Sequence, residues 1–298
     1  MPTVYKFFIG GAIPKCYILD MEKIELHTMP LGDRIKAYEH QFTDFAIDPS
    51  IPFIARVDGR AFHTFTKKMD RPFDARFTRT MCDTARALTE ALDPVVSYVQ
   101  SDEITLVFKP TNEPPFSGKL SKLNSNIASM ATYWFNKSLP IYTPVAGIAL
   151  FDCRVFNVPD EWEAVNALRF RYRDAFRNSV SAAARAKFGH KATLNKNTDQ
   201  KLEMLGSEWD LYPDAARFGA FFHKVNVVKP VTVDKTKMTP EEAAKIPDTC
   251  IRSEIQEFIV EAEGKLANLN DRTWGIDAIS NAPGVIFDGE RAIYEEKE

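Results

Sequence analysis

The sequence has few cysteines, no long hydrophobic run and little excess of charge of either sign. Its four cysteines, among 298 residues, lie far apart and form no CxxC pair. This argues against a zinc site and indicates a reducing compartment. No apolar run approaches the roughly 18 residues that a membrane span needs. A net charge of −3 argues against a generally basic protein, although opposite charges could still be segregated. Together these absences predict a soluble, cytoplasmic protein with no membrane segment.

The charges are indeed segregated along the chain. Between Ala167 and Lys191 there are seven basic residues against one acid, Asp174, whereas residues 239–298 carry 14 acids and 6 bases. A basic stretch of this kind favours phosphate contact, because neutralised phosphates are the general source of nucleic-acid affinity. The alternative is a solvated helix face. We predict that RNA is contacted by four of these basic residues, Arg169, Arg173, Arg177 and Lys187.

The periodicity of apolar residues predicts a mixed α+β protein. In chain order the predicted elements are a helix over 31–46, a strand over 51–57, a helix capped by Asp74, a hairpin of strands over 95–100 and 104–109, a helix over 120–139 and a strand over 145–158. This β-α-β-β-α-β order is the ferredoxin-like arrangement that forms the palm of many polymerases and nucleotide cyclases.

Further elements and three regions complete the prediction. Beyond the palm, the pattern predicts a helix after Asp160, one or two strands over 218–228, and helices starting at Thr239 and covering 253–267. We divide the chain into an N-terminal extension (1–30), a palm-like catalytic domain with RNA-binding helices (31–229) and an acidic C-terminal extension (230–298).

Three carboxylates are predicted to meet at one end of this sheet. Asp58 ends the first strand, while Asp102 and Glu103 occupy the tip of the hairpin. In the β-α-β-β-α-β topology both positions lie at the same end of the sheet, although they are distant in sequence. Clustered acids repel one another unless a cation holds them, and Mg²⁺ prefers such hard oxygen ligands. We therefore predict a catalytic metal site for phosphoryl transfer formed by Asp58, Asp102 and Glu103. Each acid taken alone would be an ordinary polar turn.

The two segments that carry these acids resemble a known family. RVDGRAFHTF at 56–65, followed by YVQSDEITLVFK at 98–109, is similar to the signature pair of the tRNA-histidine guanylyltransferase family, the reverse (3′–5′) nucleotide polymerases. Looser similarities occur in the same order at four further segments, and the likeness covers roughly residues 31–222. These segments are LGDRIKAYE (31–39), SKLNSNIAS (121–129), FDCRVFNVP (151–159) and ARFG (216–219).

The resemblance implies specific ligands and roles. Two Mg²⁺ ions would be held by Asp58, the carbonyl of Gly59, and Asp102, and the substrates would be GTP, ATP or other nucleoside triphosphates. It also implies a homo-oligomer, with a tetramer as one possibility, and tRNA as the partner. The residues expected to bind the nucleotide are Asp58, Gly59, Arg60, Ala61, Phe62, His63, Arg71, Asp74, Ser101, Asp102, Lys119 and Lys122. Topology alone leaves the two lysines doubtful, because their helix starts at the opposite end of the sheet.

Two departures from the family pattern are informative. Cys153 replaces the glycine of the family's FDGR segment, and the HxNNLYN segment of enzymes that add guanylate to histidine tRNA is matched here by FRNSVSA at 176–182. This favours the guanylyltransferase-like branch, which repairs or edits tRNA 5′ ends under the direction of a template. Three alternatives stay open: strict guanylate addition to histidine tRNA, a palm-type nucleotide cyclase, and a non-catalytic RNA-binding module.

Overall fold

The computed structural model describes residues 30–33, 35–36, 39, 44–141, 143–145, 147–232, 238–239, 246–259 and 293–295. The chain divides into two compact units, residues 1–45 and residues 46–298. In the first unit residues 31–33, 35–36 and 39 are helical, as predicted, but the helix does not continue to residue 46 because residues 44 and 45 are not helical. The N-terminal extension up to residue 29 lies outside the described residues. None of the described helices is both long and apolar enough to cross a membrane.

The second unit is built on the predicted palm. Strands β1 (Phe53–Gly59), β2 (Val96–Gln100), β3 (Glu103–Phe108) and β4 (Phe151–Asn157) form an antiparallel sheet in the order β4-β1-β3-β2. This is the ferredoxin-like order, so the predicted α+β fold class is confirmed. The fourth strand is shorter than the predicted 145–158, since residues 147–150 are not extended partners of β1.

Helices cover both faces of this sheet. On one face lie the short α1 (Phe62–Phe65), α2 (Ala75–Leu92) and α3 (Leu120–Ser138), the last preceded by a 3-10 turn. The other face carries the long α4 (Glu161–Thr193), which is interrupted at Gly189, and then α5 (Thr198–Leu205), a second 3-10 turn and α6 (Asp214–Phe218). Because side chains alternate along a strand, β1 supplies both cores. Its Phe53, Ala55 and Val57 pack under α2 and α3, whereas Ile54 packs under α4.

Residues beyond the palm extend the same sheet. Strand β5 (Ala220–Pro230) pairs with β2, β6 (Thr249–Phe258) pairs with β5 along ten residues, and β7 (Ile293–Glu295) lies parallel to β5. The helix predicted over 253–267 is therefore wrong at 253–259, and its remainder from residue 260 lies outside the described residues, as does most of the helix predicted from Thr239. Pairing along the edge of β5 gives β6 a full ladder of backbone hydrogen bonds. This tertiary pairing overrides the helical preference of the Glu-containing segment.

The N-terminus of α2 is fixed by Asp74, as the sequence predicts. Its carboxylate accepts hydrogen bonds from the backbone amides of Arg76 and Phe77, and it also pairs with the Arg76 guanidinium. These bonds, led by that from the Arg76 side chain, lower the pKa of Asp74 from 3.8 to about 2. Since the ionised form is the one that is stabilised, Asp74 contributes to folding only when it is charged.

We therefore expect Asp74→Asn to destabilise the protein by about 2 kcal/mol near neutral pH. The pKa is lowered in the folded state, so this stability is present above pH 3.8 and is lost as the pH falls from 3.8 towards 2. Urea unfolding at a series of pH values should show that the unfolding free energies of Asp74→Asn and of the wild-type protein become equal as the pH falls through that range. Asp70→Asn, which removes an exposed acid 3.3 Å from the same arginine, is the matched control and should change little. A difference between Asp74→Asn and wild type that is independent of pH would contradict the assignment.

Candidate active site

Two aspartates meet where β1 ends and the β2–β3 hairpin turns. Asp58 stands directly opposite Glu103 in the β1–β3 register. The amide of Gly59 donates a 2.9 Å hydrogen bond to the carbonyl oxygen of Asp102. The hairpin tip consists of Ser101, with a left-handed φ of 53°, and Asp102. The structure thus brings Asp58 and Asp102 to one end of the sheet, as the topology predicts.

Gly59 is required here by packing. A Cβ atom at this position would lie 2.4 Å from Cδ2 of the Phe62 ring, which is too close for any side chain. The ring cannot easily retreat, because it packs at 5.0–5.5 Å against three other rings of the core, those of Phe65, Phe135 and Phe151. The backbone between the two aspartates is therefore held against the aromatic core.

Burial dominates the electrostatics of Asp102. Loss of solvent around the carboxyl raises its pKa, and the negative charge of Asp58 raises it further. The Ser101 hydroxyl, which donates a 3.1 Å hydrogen bond to the Asp102 carboxylate, and the charge of His63 act in the opposite direction. A bound cation would favour the charged form of both acids.

The donor set matches the preferences of Mg²⁺. Asp58 and Asp102 offer carboxylate oxygens and Gly59 offers a carbonyl oxygen at one strand end. Among the residues that the structure describes, no group of three or more His, Cys, Asp or Glu side chains is arranged to hold a metal ion. Mg²⁺ does not need such a cage, because it is usually bound by one or two carboxylates and completes its shell with water and substrate phosphates. These residues therefore fit Mg²⁺ as an open site.

Glu103 is held by an arginine that was not singled out from the sequence. Nε and Nη2 of Arg171 donate to the two carboxylate oxygens of Glu103, and Nε of Arg56 lies 3.9 Å from one of them. Burial raises the pKa of Glu103, while Arg171 and Arg56 lower it. Because this carboxylate is already engaged by a guanidinium, its predicted catalytic role stays a prediction. The geometry supports a positioning role beside Asp58.

Two cavities adjoin the acid pair. The first, of about 390 Å³, lies between the sheet and α4, and its walls include Arg56, Asp58, Glu103, Arg171 and Asp174. The second, of about 340 Å³, lies between α1, the start of α2 and the middle of α4. Gln100, Ser101, Asp102 and Asn178 line both. Asp102 therefore stands at the junction between a charged cleft and a mixed polar and aromatic pocket.

Several of the predicted nucleotide-binding residues line the second pocket. They are Phe62, His63, Arg71, Asp74, Ser101 and Asp102. Arg60 and Ala61 are exposed in the turn between β1 and α1, where Ala61 adopts a left-handed φ of 55°. Asp74, as described above, is committed to capping α2 and to Arg76. Its part in the pocket is therefore to shape the wall.

Lys119 and Lys122 lie elsewhere. The backbone of Lys119 forms an isolated antiparallel β-bridge with Ala46. The carbonyl of the preceding residue, Gly118, accepts a hydrogen bond from the amide of Ile47. The next residue along, Asp48, is tied to Asn157, which pairs with the first residue of β1, Phe53. This is the end of the sheet opposite to Asp58. The structure does not bring the two lysines to either cavity.

The predicted row of RNA-binding residues is not one open face. Arg169 is only 9% exposed, because it lies at the border of the apolar face of α4, and it bonds to Asn166. The prediction of a phosphate contact for this residue does not fit its burial. Arg173 and Arg177 are exposed, and Arg177 pairs with Asp174 at 2.8 Å. Lys187 lies almost three helical turns beyond Arg177 and pairs with Glu208.

The sequence matches a known family and curated proteins. Residues 32–159 match the family model described as Thg1, tRNAHis guanylyltransferase. An uncharacterized protein of Acanthamoeba polyphaga mimivirus is 29% identical over 226 residues, which cover 65% of this chain and 77% of that protein. A probable tRNA(His) guanylyltransferase of Drosophila melanogaster is 30% identical over 174 residues, covering 56% and 59% of the two chains. The chain thus spans little more than half the length of that guanylyltransferase.

A solved structure agrees with these matches. A bacterial tRNA(His) guanylyltransferase (Thg1)-like protein in complex with ATP superposes with a TM-score of 0.60 at 30% identity, covering 65% of this chain and 88% of that one. The shared sequence includes both aspartates and the strands that carry them, since β1 to β4 lie within residues 32–159. On this common sequence and fold, the chain belongs to the tRNA-histidine guanylyltransferase family.

Proposed function

We propose that this protein is a Mg²⁺-dependent 3′–5′ nucleotidyltransferase that adds nucleotides from nucleoside triphosphates to the 5′ end of tRNA under the direction of a template. The observation that carries the proposal is the position of Asp102 at the junction of two cavities, with Asp58 beside it in the wall of the charged one. One cavity can hold a nucleotide and the other is open to a second phosphate-bearing substrate. Family membership supplies the class of reaction.

Each part of the site has a task in this reaction. The pocket beside Phe62 and His63 accommodates the incoming nucleotide. Asp58, Asp102 and the carbonyl of Gly59 would hold Mg²⁺, which would neutralise triphosphate charge and lower the pKa of an attacking hydroxyl. The 3′-hydroxyl of the nucleotide attacks the activated 5′ phosphate of the RNA and displaces its activating group, which leaves as pyrophosphate from a 5′-triphosphate or as AMP from a 5′ end first adenylylated by ATP. Arg171 holds Glu103 so that this end of β3 keeps its place beside Asp58.

The α4 segment facing the pocket supports template copying over recognition of histidine tRNA. Sequence-specific reading of RNA needs side chains that hydrogen-bond or stack on splayed bases. In the 176–182 segment Phe176 is buried and stacks on Phe218, and the Ser179 hydroxyl is buried and bonded to the carbonyl of Arg217. Of this segment, Asn178, Ser179 and Ala182 line the pocket. Among these three, only Asn178 has a long polar side chain free of such core packing, and it donates a 3.3 Å hydrogen bond to Asp174.

Removing either metal-binding acid should abolish nucleotide addition. We expect Asp58→Ala and Asp102→Ala each to lower the rate by at least a thousandfold, because several kcal/mol of transition-state charge stabilisation would be lost. The measurement is incorporation of labelled nucleotide into a tRNA lacking its first 5′ nucleotide. Asp152→Ala removes an exposed acid directly opposite Asp58 on β4 that lines neither cavity, so it should retain activity. Near-wild-type incorporation by either of the first two variants would overturn the metal assignment.

The Arg171–Glu103 pair should be needed for stability as well as for the rate. Both side chains are less than a quarter exposed. Arg171→Ala would leave a desolvated carboxylate without its main partner, which we expect to cost roughly 3 kcal/mol of unfolding free energy. The double variant Arg171→Met with Glu103→Gln should recover much of that loss in urea unfolding. If Arg171→Ala alone is as stable as the wild-type protein, the pair does not have the positioning role assigned to it.

Template copying and histidine-specific addition predict different products. Several tRNAs lacking their first 5′ nucleotide should each receive the nucleotide complementary to the opposing base, at rates within about tenfold, or roughly 1.4 kcal/mol in barrier. Reaction of histidine tRNA alone, with GTP whatever base stands opposite, would establish the strict guanylyltransferase instead. Release of cyclic nucleotide from triphosphate without RNA would indicate a cyclase. RNA binding without turnover would indicate a binding module.

A further inference from the structure

In the part of the chain that the structure describes, β4 is an edge strand. It pairs with β1 on one side, and no described strand lies on its other side. At the two ends of β4, Leu150 and Val158 form backbone hydrogen bonds with the residues that flank β1. Since bonding directions alternate along an antiparallel strand, the amides and carbonyls of Cys153 and Val155 point away from β1. We call this outer side of Phe151–Asn157 the open edge, and another strand can add to the sheet there.

The charges on β4 are unfavourably placed within one chain. Asp152 stands directly opposite Asp58 in β1, and Arg154 stands directly opposite Arg56. Like charges at such cross-strand positions destabilise a sheet. The β4 side chains are exposed, Asp152 at 54% and Arg154 at 63%, so their mutual contact of 3.9 Å contributes little. An acidic row and a basic row therefore both end at the open edge, two residues apart along the strand.

A second copy of the same strand carries the complementary charges. In an antiparallel pair related by two-fold symmetry, the same surface of both copies is self-complementary. Pairing centred on Cys153 sets Asp152 of each copy opposite Arg154 of the other. Because the outward groups of Cys153 make it a hydrogen-bonded position, its two neighbours take the closely spaced positions where side chains interact most strongly. Centring the pair on either charged residue would instead set that residue against its own copy.

The register centred on Cys153 also pairs apolar side chains. Leu150, just before β4, is 47% exposed, and Phe156 is 43% exposed. Because side chains alternate along a strand, both share a face with Asp152 and Arg154. Leu150 of one copy then stands opposite Phe156 of the other, on each side of the two-fold axis. Each charged pair is thus flanked by an apolar pair that loses contact with water on association.

We propose that the open edge of β4 is the interface of a two-fold symmetric dimer, in which the sheets of two chains join through β4. Charges on an edge strand usually prevent such pairing, because they repel an added strand. Here they repel β1 of the same chain and attract a copy of β4. Asp58, Asp102 and the two adjoining cavities lie within one chain, so this association does not depend on the proposed reaction.

The test reverses charges and measures molecular mass by sedimentation velocity over a range of protein concentrations. The wild-type protein should be at least a dimer. Arg154→Asp leaves two acids on each copy and Asp152→Arg leaves two arginines. Each variant alone should therefore have half the wild-type mass, or a dissociation constant raised at least about tenfold. Both changes replace a like-charge pair with β1 by an opposite-charge pair, so neither should lower the thermal unfolding midpoint.

Two combinations should restore association in the register centred on Cys153. The double variant Asp152→Arg with Arg154→Asp exchanges the charges within each copy and should associate like wild type. An equimolar mixture of the two single variants should form a mixed dimer, because each acid of one copy then faces an arginine of the other. Arg252→Asp is the matched control. It makes the same reversal at an exposed position on β6, the strand at the other end of the described sheet, and should keep the wild-type mass.

The outcomes decide the interface separately from the reaction. A monomeric wild-type protein, a mass that neither single reversal changes, or an equal loss of mass in Arg252→Asp would overturn the proposal. So would single variants that lose association without recovering it in the mixture. If the wild-type protein adds no nucleotide to any tRNA but the mixture still forms the dimer, the proposed reaction falls and the interface stands. If nucleotide addition is intact and the mixture does not associate, only the interface falls.

Discussion

The antiparallel pairing of β1 with β3 is the constraint on which the site depends. It sets Asp58 opposite Glu103 and lets the Gly59 amide bond to the carbonyl of Asp102, so a single register fixes both acids. A slip of one residue would turn Asp58 to the opposite face. The register is protected against such a slip because Phe53, Ala55 and Val57 are fully buried on one face, and a shift of one residue would move all three out of that core.

Core packing and the site are coupled through a few contacts at this end of the sheet. Phe62 belongs to the aromatic core and also lines the cavity between α1, α2 and α4, while its ring occupies the space above Gly59. On the other face the docking of α4 delivers Arg171 to Glu103 and Asn178 to the border between the cavities. The acids are thus held from one side by aromatic packing and from the other by a salt bridge.

What could be predicted from the sequence follows from how local each feature is. The palm order and the meeting of Asp58 with Asp102 are consequences of strand order, which periodicity and turn residues reveal. The Arg171–Glu103 pair depends on how α4 docks on the sheet. The sequence does not show which of the seven basic residues pairs with Glu103, although a half-buried acid does require a partner. The burial of Arg169 could not be predicted for the same reason, because a row at i, i+4 spacing does not tell where the buried face of a helix ends.

The pairing of β6 with β5 makes part of the acidic segment that follows the palm a strand of the same sheet. Edge strands expose a row of unpaired amide and carbonyl groups, which invites pairing with other chains. β6 covers ten residues of β5 that would otherwise form such an edge, and Glu257 anchors it by a 2.7 Å contact to Arg86 of α2. This acidic segment therefore covers an edge of the sheet that could otherwise pair with other chains. A chain ending near residue 230 would keep Asp58 and Asp102 but would leave that edge of β5 without β6.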